Sequence, residues 1–410
     1  MEKETGWESR CDFLPMIRQY FTLLFIVYLF PPGVLQSQVR SGADQTEQYF
    51  PLLHSVPIAV VANRASVLAD KHGGPGINLV DTLFRKGFSV VKIFSPEHGF
   101  RGNAEAGALV DDETDSATAI PVISLYGNHV KPTPVDLKNI GLVVFDLQDV
   151  GVRFFTYLST LSYVMESCAE NNIPLLLLDR PNPNGFYIDG PVLQTGFKSF
   201  IGLHPVPVVY GMTIGEYAQM VNGEGWLKNG VRCSLTVVPL EGYSHSLKVG
   251  VLVKPSPNLT TLNAIRLYPS LCFFEGTRVS IGRGTRHPFE VFGDPALLSG
   301  SFSFIPVGIP GMSLHPPYEG RRCFGINLQV APDMEPWPGG NIQLFWLISA
   351  YKELGSDPAF FTAYFDLLAG TDQLRKQIMD GKTESEIRIS WEPGIEKFVK
   401  IRKKYLLYPD

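Results

Sequence analysis

The sequence has few of the features that mark several large classes of protein. Charged residues make up only 18% of the 410 positions, the formal net charge is −5, and no block of lysine and arginine stands out. No nucleic-acid partner is therefore expected, because such binding needs a dense basic surface. The motifs G-x-S-x-G and H-E-x-x-H, clustered histidine ligands and the kinase signatures are absent. No metal or cofactor is expected, and hydrolysis by carboxylates is the class of chemistry that remains.

Cysteine is scarce and scattered. Five cysteines occur with no C-x-x-C spacing, which gives no support for a metal-binding or redox motif. One of the five, Cys11, belongs to the N-terminal segment described next. The other four are predicted to be buried thiols, although export would permit a disulfide between them.

Long hydrophobic runs are missing as well. The apolar run Tyr20–Phe30 has 11 residues, whereas a membrane-spanning helix needs about 20. Arg10 and Arg18 precede the run and two prolines follow it, a pattern typical of a secretory signal. We therefore predict an export segment over residues 1–40, a periplasmic or extracellular location, and no stable membrane insertion after signal removal. The alternative is an uncleaved membrane anchor.

Apolar strands alternate with amphipathic helices over the first half of the remaining chain. Such alternation is typical of a parallel sheet covered on both faces. We predict an α/β fold, with a Rossmann-like parallel-sheet domain over residues 55–262 and a smaller α+β C-terminal domain over residues 263–410. The predicted strands cover residues 57–63, 89–95, 141–149, 173–179 and 234–240. The predicted helices cover residues 77–87, 157–171, 213–227, 341–354 and 396–408.

Polar residues stand at the ends of the early strands: Asn63, Glu97, Asp146 and Asp179. In an open α/β sheet, ligands bind beyond the carboxyl ends of the strands. We therefore expect these four side chains to converge on one rim of the sheet, where Asn63 is a candidate substrate contact. The alternative is that they only form the turns that end the strands.

The stretch SPEHGFRG contains the sharpest local signal. Glu97 lies between Phe94 and Phe100, and an apolar surrounding would raise the pKa of its carboxyl group, so that it could donate a proton near neutral pH. A nearby charge on His98 or Arg101 would oppose that shift. Glu97 is predicted to be catalytic. His98 is either catalytic or a hydrogen-bonding turn residue, and Arg101 is a candidate substrate contact.

The stretch FDLQDVGVRFFTY places five polar residues close to a strand end. Asp146 and Gln148 share one face if the strand stays extended, and Asp149 is either catalytic or the cap of the next helix. Arg153 stands among apolar residues and needs a partner, either an internal aspartate or the substrate. Tyr157 and Gln148 are predicted substrate contacts, and Asp146 and Asp149 are predicted catalytic carboxylates.

Two further loops carry candidate ligand contacts. In LDRPNPNG, prolines fix the backbone around Asp179, Arg180 and Asn182, which would suit sugar hydroxyls or a carboxylate. In EGTRVSIGRGT, Glu275 and Arg283 are candidates, since the glycines that flank Arg283 would let it approach a ligand closely. The alternative role for Arg283 is to join the two domains.

Six stretches in this order resemble the NamZ family of exo-acting β-N-acetylmuramidases. They are SPEHGFRG, FDLQDVGVRFFTY, LDRPNPNG, GMTIGEYAQMVNGEGWL, SPNLTT and EGTRVSIGRGT, and the C-terminal stretch is also similar. The resemblance covers roughly residues 56–408. It implies a cleft between two domains, and removal of single N-acetylmuramic acid residues from the non-reducing ends of peptidoglycan fragments. Glu97 matches the proposed catalytic glutamate of that family.

Glycoside hydrolysis usually needs two carboxyl groups, or one carboxyl group and the acetamido oxygen of the substrate. Glu97 is the predicted general acid, and Asp146 or Asp149 is the predicted partner. The lactyl group of muramic acid is anionic, so the site should contain an arginine. The candidates are Arg101, Arg153, Arg180 and Arg283.

Two other functions stay open on the sequence. One is a metal-assisted hydrolase that uses Glu97, His98, Asp146 and Asp149. The other is a non-catalytic glycan-binding protein of the cell envelope. The expected partners of the muramidase are peptidoglycan-derived saccharides.

Overall fold

The computed structural model describes residues 39–410 of the chain, except residues 103, 104, 106, 108–111, 332 and 333. The predicted export segment therefore lies almost entirely outside the described residues. Within the described part of the chain, no helix combines the length and the hydropathy that crossing a bilayer requires.

Strands and helices alternate in the first half of the described chain. The strands of the described residues are β1 (Ile58–Ala62), β2 (Val67–Ala69), β3 (Pro75–Asn78), β4 (Val90–Ser95), β5 (Glu113–Thr114), β6 (Pro121–Ser124), β7 (Leu142–Asp146), β8 (Leu175–Leu178), β9 (Leu235–Val238), β10 (Val291–Asp294), β11 (Phe302–Phe304) and β12 (Cys323–Asn327). The α-helices of the same residues are α1 (Thr46–Leu53), α2 (Leu79–Arg85), α3 (Tyr157–Glu170), α4 (Ile214–Gly223), α5 (Leu262–Leu271), α6 (Leu344–Glu353), α7 (Ala363–Ala369), α8 (Gln373–Met379) and α9 (Glu384–Arg402).

A seven-stranded sheet in the order β5-β6-β4-β1-β7-β8-β9 forms the centre of the N-terminal half. Its neighbouring strands run parallel, except for the antiparallel pair β5 and β6. Every residue of β1, β7 and β8 is buried, because helices and loops cover both faces of the sheet. The predicted α/β class is confirmed. β4 ends at Ser95, two residues before Glu97, and β7 ends at Asp146, which is itself a predicted site residue.

The two faces of β1 belong to different hydrophobic clusters. Ala59 and Val61 pack into one cluster, whereas Val60 packs with α1 and α2 on the opposite face. The first cluster continues through Phe145 into the C-terminal half, where it includes Phe365 of α7. One core therefore joins the two halves of the described chain.

The C-terminal half contains a three-stranded antiparallel sheet in the order β10-β12-β11 together with α6 to α9. The predicted second region is present, while its boundary at residue 263 stays a prediction. The predicted helix over residues 396–408 begins much earlier, at Glu384, because Thr383 and Glu386 form a capping box. The chain end returns to the large sheet, where Tyr408 donates a hydrogen bond of 2.5 Å to Asp179.

The four cysteines of the described chain are buried free thiols, as predicted. They are Cys168, Cys233, Cys272 and Cys323.

Candidate active site

The lining of a cavity of about 560 Å³ includes the loop that follows β4, the segment immediately before α3, the segment that precedes α5 and the loops that follow α5. Glu97, His98, Glu275 and Arg283 are the predicted site residues that the structure brings together in its lining. Much of the rest of the wall is aromatic: Tyr126, Phe154, Phe155, Phe200, Tyr268 and Tyr364. Ligand sites commonly combine such apolar walls with a few placed polar groups.

Both carboxylate oxygens of Glu97 accept hydrogen bonds. The backbone N–H of Gly107 donates to Oε1 at 3.0 Å, and the hydroxyl of Thr156 donates to Oε2 at 2.8 Å. Thr156 occupies the N-cap position of α3 but makes no side-chain cap bond there. Burial, and then the negative charge of Glu97, raise the pKa of Tyr126 above its ordinary value. Glu97 is half-buried, so its carboxylate is oriented by neighbours and still faces the cavity.

The backbone at His98 is in the left-handed region, with φ of 76°. Phe289, which also lines the cavity, has φ of 61°. This conformation is uncommon for residues other than glycine and strained for a bulky one, and such strain clusters at functional sites. The ring Nε2 of His98 lies 3.1 Å from the hydroxyl of Ser256, which joins the Glu97 loop to the segment before α5.

Arg283 is fixed by an ion pair and by the glycines on either side of it. Its Nε and Nη2 donate to Oε1 of Glu275 at 2.8 and 2.5 Å. Gly282 and Gly284 both have positive φ, and a Cβ at Gly284 would lie 2.8 Å from the carbonyl oxygen of Val307. Burial opposes the charge on Arg283, but attraction to Glu275 outweighs it and raises the arginine's pKa. Arg283 therefore presents a fixed positive charge at the cavity.

Tyr364 lies near both cavity glutamates. Burial, together with the negative charges of Glu275 and Glu97, raises the pKa of its phenol well above the ordinary value. The phenol therefore stays neutral and can donate a hydrogen bond at neutral pH. Glu97, Glu275 and Tyr364 all line this cavity, so the two carboxylates belong to a single site.

Asp146 and Arg180, predicted for the site, form a buried ion pair away from the cavity lining. Nε and Nη2 of Arg180 donate to the two carboxylate oxygens of Asp146 at 2.5 and 2.8 Å. Nη2 also donates to the carbonyl oxygen of Val67 at 3.0 Å. The catalytic role of Asp146 and the substrate contact of Arg180 stay predictions, and their present contacts are structural.

Asp149 and Gln148 are also buried outside the cavity lining. Asp149 accepts hydrogen bonds from the hydroxyl of Tyr210 and from the backbone N–H of Gly151. Burial raises the pKa of Asp149 to about 6. The side-chain amide of Gln148 donates at 2.8 Å to the carbonyl oxygens of Asp149 and Pro181, which fixes the turn after β7.

Asp179 and Asn182 fix the loop after β8. Asp179 accepts hydrogen bonds from the hydroxyls of Thr213 and Tyr408 at 2.7 and 2.5 Å. Burial raises the pKa of Asp179 to about 7. Asn182 donates to the carbonyl oxygen of Met212 at 2.7 Å. Both side chains thus connect the loop to the segment around the start of α4 rather than to the cavity.

Two more of the four candidate arginines, like Arg180, have extensive structural contacts. Arg101 pairs with Asp81 and Asp115 at distances between 2.8 and 3.0 Å. Arg153 was expected to contact an aspartate or the substrate, but its guanidinium donates to backbone carbonyl oxygens at 2.7 to 2.9 Å. These belong to Pro191, Val206, Leu368 and Ala369. Arg153 therefore joins the two halves of the chain.

Asn63 and Tyr157 form hydrogen bonds that hold the segment before α5, which is part of the cavity wall. The side-chain amide of Asn63 donates to the hydroxyl of Tyr157 at 2.7 Å, and this hydroxyl donates to the carbonyl oxygen of Pro255 at 2.8 Å. Ser256 and Asn258 follow directly and line the cavity. The predicted substrate contacts of Asn63 and Tyr157 stay predictions.

Sequence reasoning missed several residues of the lining. Ser256 and Asn258 belong to SPNLTT, a stretch that marked the family resemblance but was given no role. Thr156 precedes a helix, and the sequence alone suggests that it is an ordinary N-cap residue. Tyr126 and Phe200 come from loops with no periodic pattern to signal them. Among the described residues, no group of three or more histidine, cysteine, aspartate or glutamate side chains is arranged to hold a metal ion.

The fold and the cavity define an α/β protein with two carboxylates, an arginine and aromatic walls in one site, an arrangement suited to carbohydrate chemistry. Comparison with protein families gives the closer assignment. Residues 58–263 match the family model "Exo-beta-N-acetylmuramidase NamZ, N-terminal" and residues 266–408 match its C-terminal counterpart. The chain belongs to this family, and the resemblance predicted from the sequence is confirmed.

Similar proteins span nearly the whole chain. The peptidoglycan beta-N-acetylmuramidase NamZ of Bacillus subtilis (strain 168) is 36% identical over 389 residues, covering 90% of this chain and 92% of that protein. A solved DUF1343 family protein from Bacteroides fragilis NCTC 9343 has a TM-score of 0.82 and 44% identity, covering 91% of this chain and 100% of its own. A second one from the same organism has a TM-score of 0.75 and 28% identity, with coverage of 90% and 99%.

Proposed function

We propose that this chain is an exo-acting glycoside hydrolase that releases N-acetylmuramic acid from the non-reducing ends of peptidoglycan fragments. The Bacillus subtilis relative is named as a peptidoglycan β-N-acetylmuramidase. This name supports peptidoglycan as the substrate and N-acetylmuramic acid as the released sugar. One observation carries the proposal: Glu97 is half-buried in an aromatic-walled cavity, and both its carboxylate oxygens are held by donors.

Glu97 is the general acid of the proposed reaction. It protonates the glycosidic oxygen as the bond from that oxygen to C1 breaks, so the leaving sugar departs as an alcohol and not as an alkoxide. Thr156 and Gly107 keep the carboxyl group in one orientation. Glu275, the other carboxylate of the lining, faces the positive charge that develops on the sugar ring. Either the carboxylate of Glu275 or the acetamido oxygen of the substrate forms the new bond to C1, and a water molecule then replaces that group at C1 while its proton returns to Glu97.

Arg283 supports an anionic sugar. It is the arginine of the described chain that lines the cavity. Its hydrogen bonds to Glu275 use Nε and Nη2, so Nη1 can donate to the lactyl carboxylate of muramic acid. A charge-assisted bond of this kind is worth about 1.5–3 kcal/mol, enough to separate a muramide from a glucosaminide.

A pair of chromogenic substrates tests the proposal. The wild-type chain is expected to hydrolyse 4-nitrophenyl β-N-acetylmuramide well and the matching glucosaminide poorly, because only the muramide carries the lactyl carboxylate. Glu97→Gln should lower turnover of the natural muramyl disaccharide by about 10³- to 10⁴-fold, within the usual contribution of general acid catalysis, and should lower turnover of the 4-nitrophenyl muramide by less, because 4-nitrophenolate is a much better leaving group than a sugar alkoxide. Turnover of the glucosaminide alone would contradict the proposal. Loss of wild-type activity after exhaustive chelation would favour the metal-assisted alternative.

We also propose that residues 1–40 direct export to the periplasm or the extracellular space, and that peptidoglycan-derived saccharides are the partners there. The basic flank, the short apolar run Tyr20–Phe30 and the following prolines support this. Fractionation of cells that express the full chain with a C-terminal tag tests it. Two lysines placed inside the apolar run should retain the protein in the cytoplasm, and export of that variant would contradict the proposal.

A further inference from the structure

A second cavity, of about 380 Å³, lies where residues 191–194 meet α8 and α9. Its volume falls in the range of about 300–1,000 Å³ that is usual for small-molecule sites. Every residue that the structure describes in its lining is uncharged. The polar residues and the one aromatic residue of the lining are Gln194, Thr371, Gln373, Gln377, Ser390 and Trp391.

The uncharged lining distinguishes this second cavity from the first, which contains Glu97, Glu275 and Arg283. Glutamine amides and the hydroxyls of serine and threonine offer both donors and acceptors. Such groups match the hydroxyl and acetamido groups of a sugar, and Trp391 and Leu374 add apolar surface for its C–H groups. A carboxylate would lose hydration here without gaining a cation. The lining therefore suits an uncharged sugar and disfavours muramic acid or a peptide carboxylate.

Two segments of the chain extend from one cavity to the other. Gln194 lines the second cavity and Phe200, further along the same loop, lines the first. Tyr364 in the first turn of α7 lines the first cavity, and Thr371, just after that helix, lines the second. At helical spacing the rise from Tyr364 to Thr371 is about 10 Å, a distance that a short oligosaccharide spans. The backbone N–H of Gln194 donates at 2.9 Å to the carbonyl oxygen of Gly370, which fixes the two segments to each other.

We propose that the second cavity binds an N-acetylglucosamine unit of the leaving glycan, a few sugars beyond the bond that Glu97 protonates. This assignment deepens the proposed function and rests on it. The glycan of peptidoglycan alternates N-acetylmuramic acid with N-acetylglucosamine, and only the latter sugar is uncharged. A chain long enough to occupy both cavities gains binding energy that a muramyl disaccharide lacks. The enzyme is therefore selective for the ends of longer glycan chains.

The test compares the muramyl disaccharide with a series of longer peptide-free glycans that have the same non-reducing end. In the wild type, kcat/KM per chain end should rise by about 3- to 10-fold with chain length, the effect of one or two added hydrogen bonds. It should then level off once the chain fills the second cavity. A kcat/KM that does not change with chain length would overturn the assignment.

Gln377→Leu and Ser390→Trp test the second cavity itself, because the first removes a polar group from its lining and the second fills its space. Gln377→Leu should reduce the gain with chain length and Ser390→Trp should abolish it. Both should leave kcat/KM for the disaccharide unchanged, which also shows that the variants are folded. Gln219→Leu is the matched control, since Gln219 is a half-buried glutamine of α4 that belongs to neither lining. A full gain with chain length in Ser390→Trp would overturn the assignment.

Hydrogen exchange on the wild-type chain decides the question if the variants do not fold. A long glycan with sulfur in place of the glycosidic oxygen at its non-reducing end, which resists hydrolysis, should slow exchange at residues 191–194 and 371–377. The corresponding disaccharide should not, and equal exchange with both ligands would overturn the assignment. Absence of muramide hydrolysis by the wild type contradicts the proposed function, whereas absence of a chain-length effect in an enzyme that hydrolyses the disaccharide contradicts only the role of the second cavity.

Discussion

The hydroxyl of Thr156 donates a hydrogen bond of 2.8 Å to Oε2 of Glu97. Glu97 follows β4, whereas Thr156 immediately precedes α3, so this bond connects the orientation of the carboxyl group to the position of a helix. The hydroxyl does not cap its own helix. We infer that the position of Thr156 serves Glu97 rather than α3.

Thr156→Val should therefore affect chemistry more than binding. Valine has nearly the same shape but cannot donate to Glu97, so the carboxyl group becomes misoriented. We expect kcat to fall by about 10- to 100-fold, the scale of a displacement of about 1 Å, with little change in KM. Thr160→Val is the control, because Thr160 bonds to the carbonyl oxygen of Thr156 and does not line the cavity. Equal kcat in both variants would count against the orienting role.

Arg283→Met should reduce the preference for a muramide over a glucosaminide. Loss of the charge that faces the lactyl carboxylate should lower the ratio of the two kcat/KM values by about 10- to 100-fold. Arg278→Met is the control, since Arg278 pairs with Asp294 and does not line the cavity. If Arg283→Met lowers kcat/KM for both substrates by the same factor, the arginine does not bind the lactyl group.

Asp146→Asn should destabilise the fold and leave the chemistry of the folded enzyme nearly intact. Breaking the buried pair with Arg180 leaves an uncompensated charge, which typically costs about 3–5 kcal/mol of unfolding free energy. The double variant Asp146→Asn, Arg180→Met should recover a large part of that loss in urea denaturation. If folded Asp146→Asn has no turnover, the catalytic role predicted from the sequence is right and our structural interpretation is not.

Asp179 should make the fold less stable as the pH rises. Burial raises its pKa to about 7, against about 3.9 in an unfolded chain. Between these values only the folded state holds the proton, so the unfolding free energy falls as pH increases and levels off above about pH 7. Asp179→Asn should remove a slope of about −1.4 kcal/mol per pH unit between about pH 4 and 7.

His204 provides the opposite slope and serves as the comparison. Burial lowers its pKa to about 3, so between about pH 3 and 6.5 only the unfolded state is protonated, and stability rises with pH. Urea denaturation at several pH values should therefore show that His204→Gln and Asp179→Asn change the profile in opposite directions. Profiles parallel to the wild type would contradict both assignments.

The sequence predicted the class of fold well because the signals for it are local. Continuous apolar strands alternating with helices predict a covered parallel sheet, and the strand end before Glu97 does lead into the cavity. The two glycines that flank Arg283 were likewise a recognisable signal in the sequence. In the structure both adopt positive φ.

The remaining predictions depended on long-range contacts that the sequence does not reveal. Asp146 ends its strand as predicted, but its buried partner Arg180 comes from the next strand end. Arg153 looked like a residue in need of an acid, and its charge is instead shared among carbonyl oxygens from distant loops.

The most direct test of the central claim compares Glu97→Gln on two muramides that differ only in the leaving group. An acid catalyst matters when a sugar alcohol departs and hardly matters when 2,4-dinitrophenolate departs, since that anion leaves without a proton. We predict a loss of at least about 10³-fold for the natural muramyl disaccharide and less than about 10-fold for the dinitrophenyl muramide. Equal losses on the two substrates would show that Glu97 does not donate the proton.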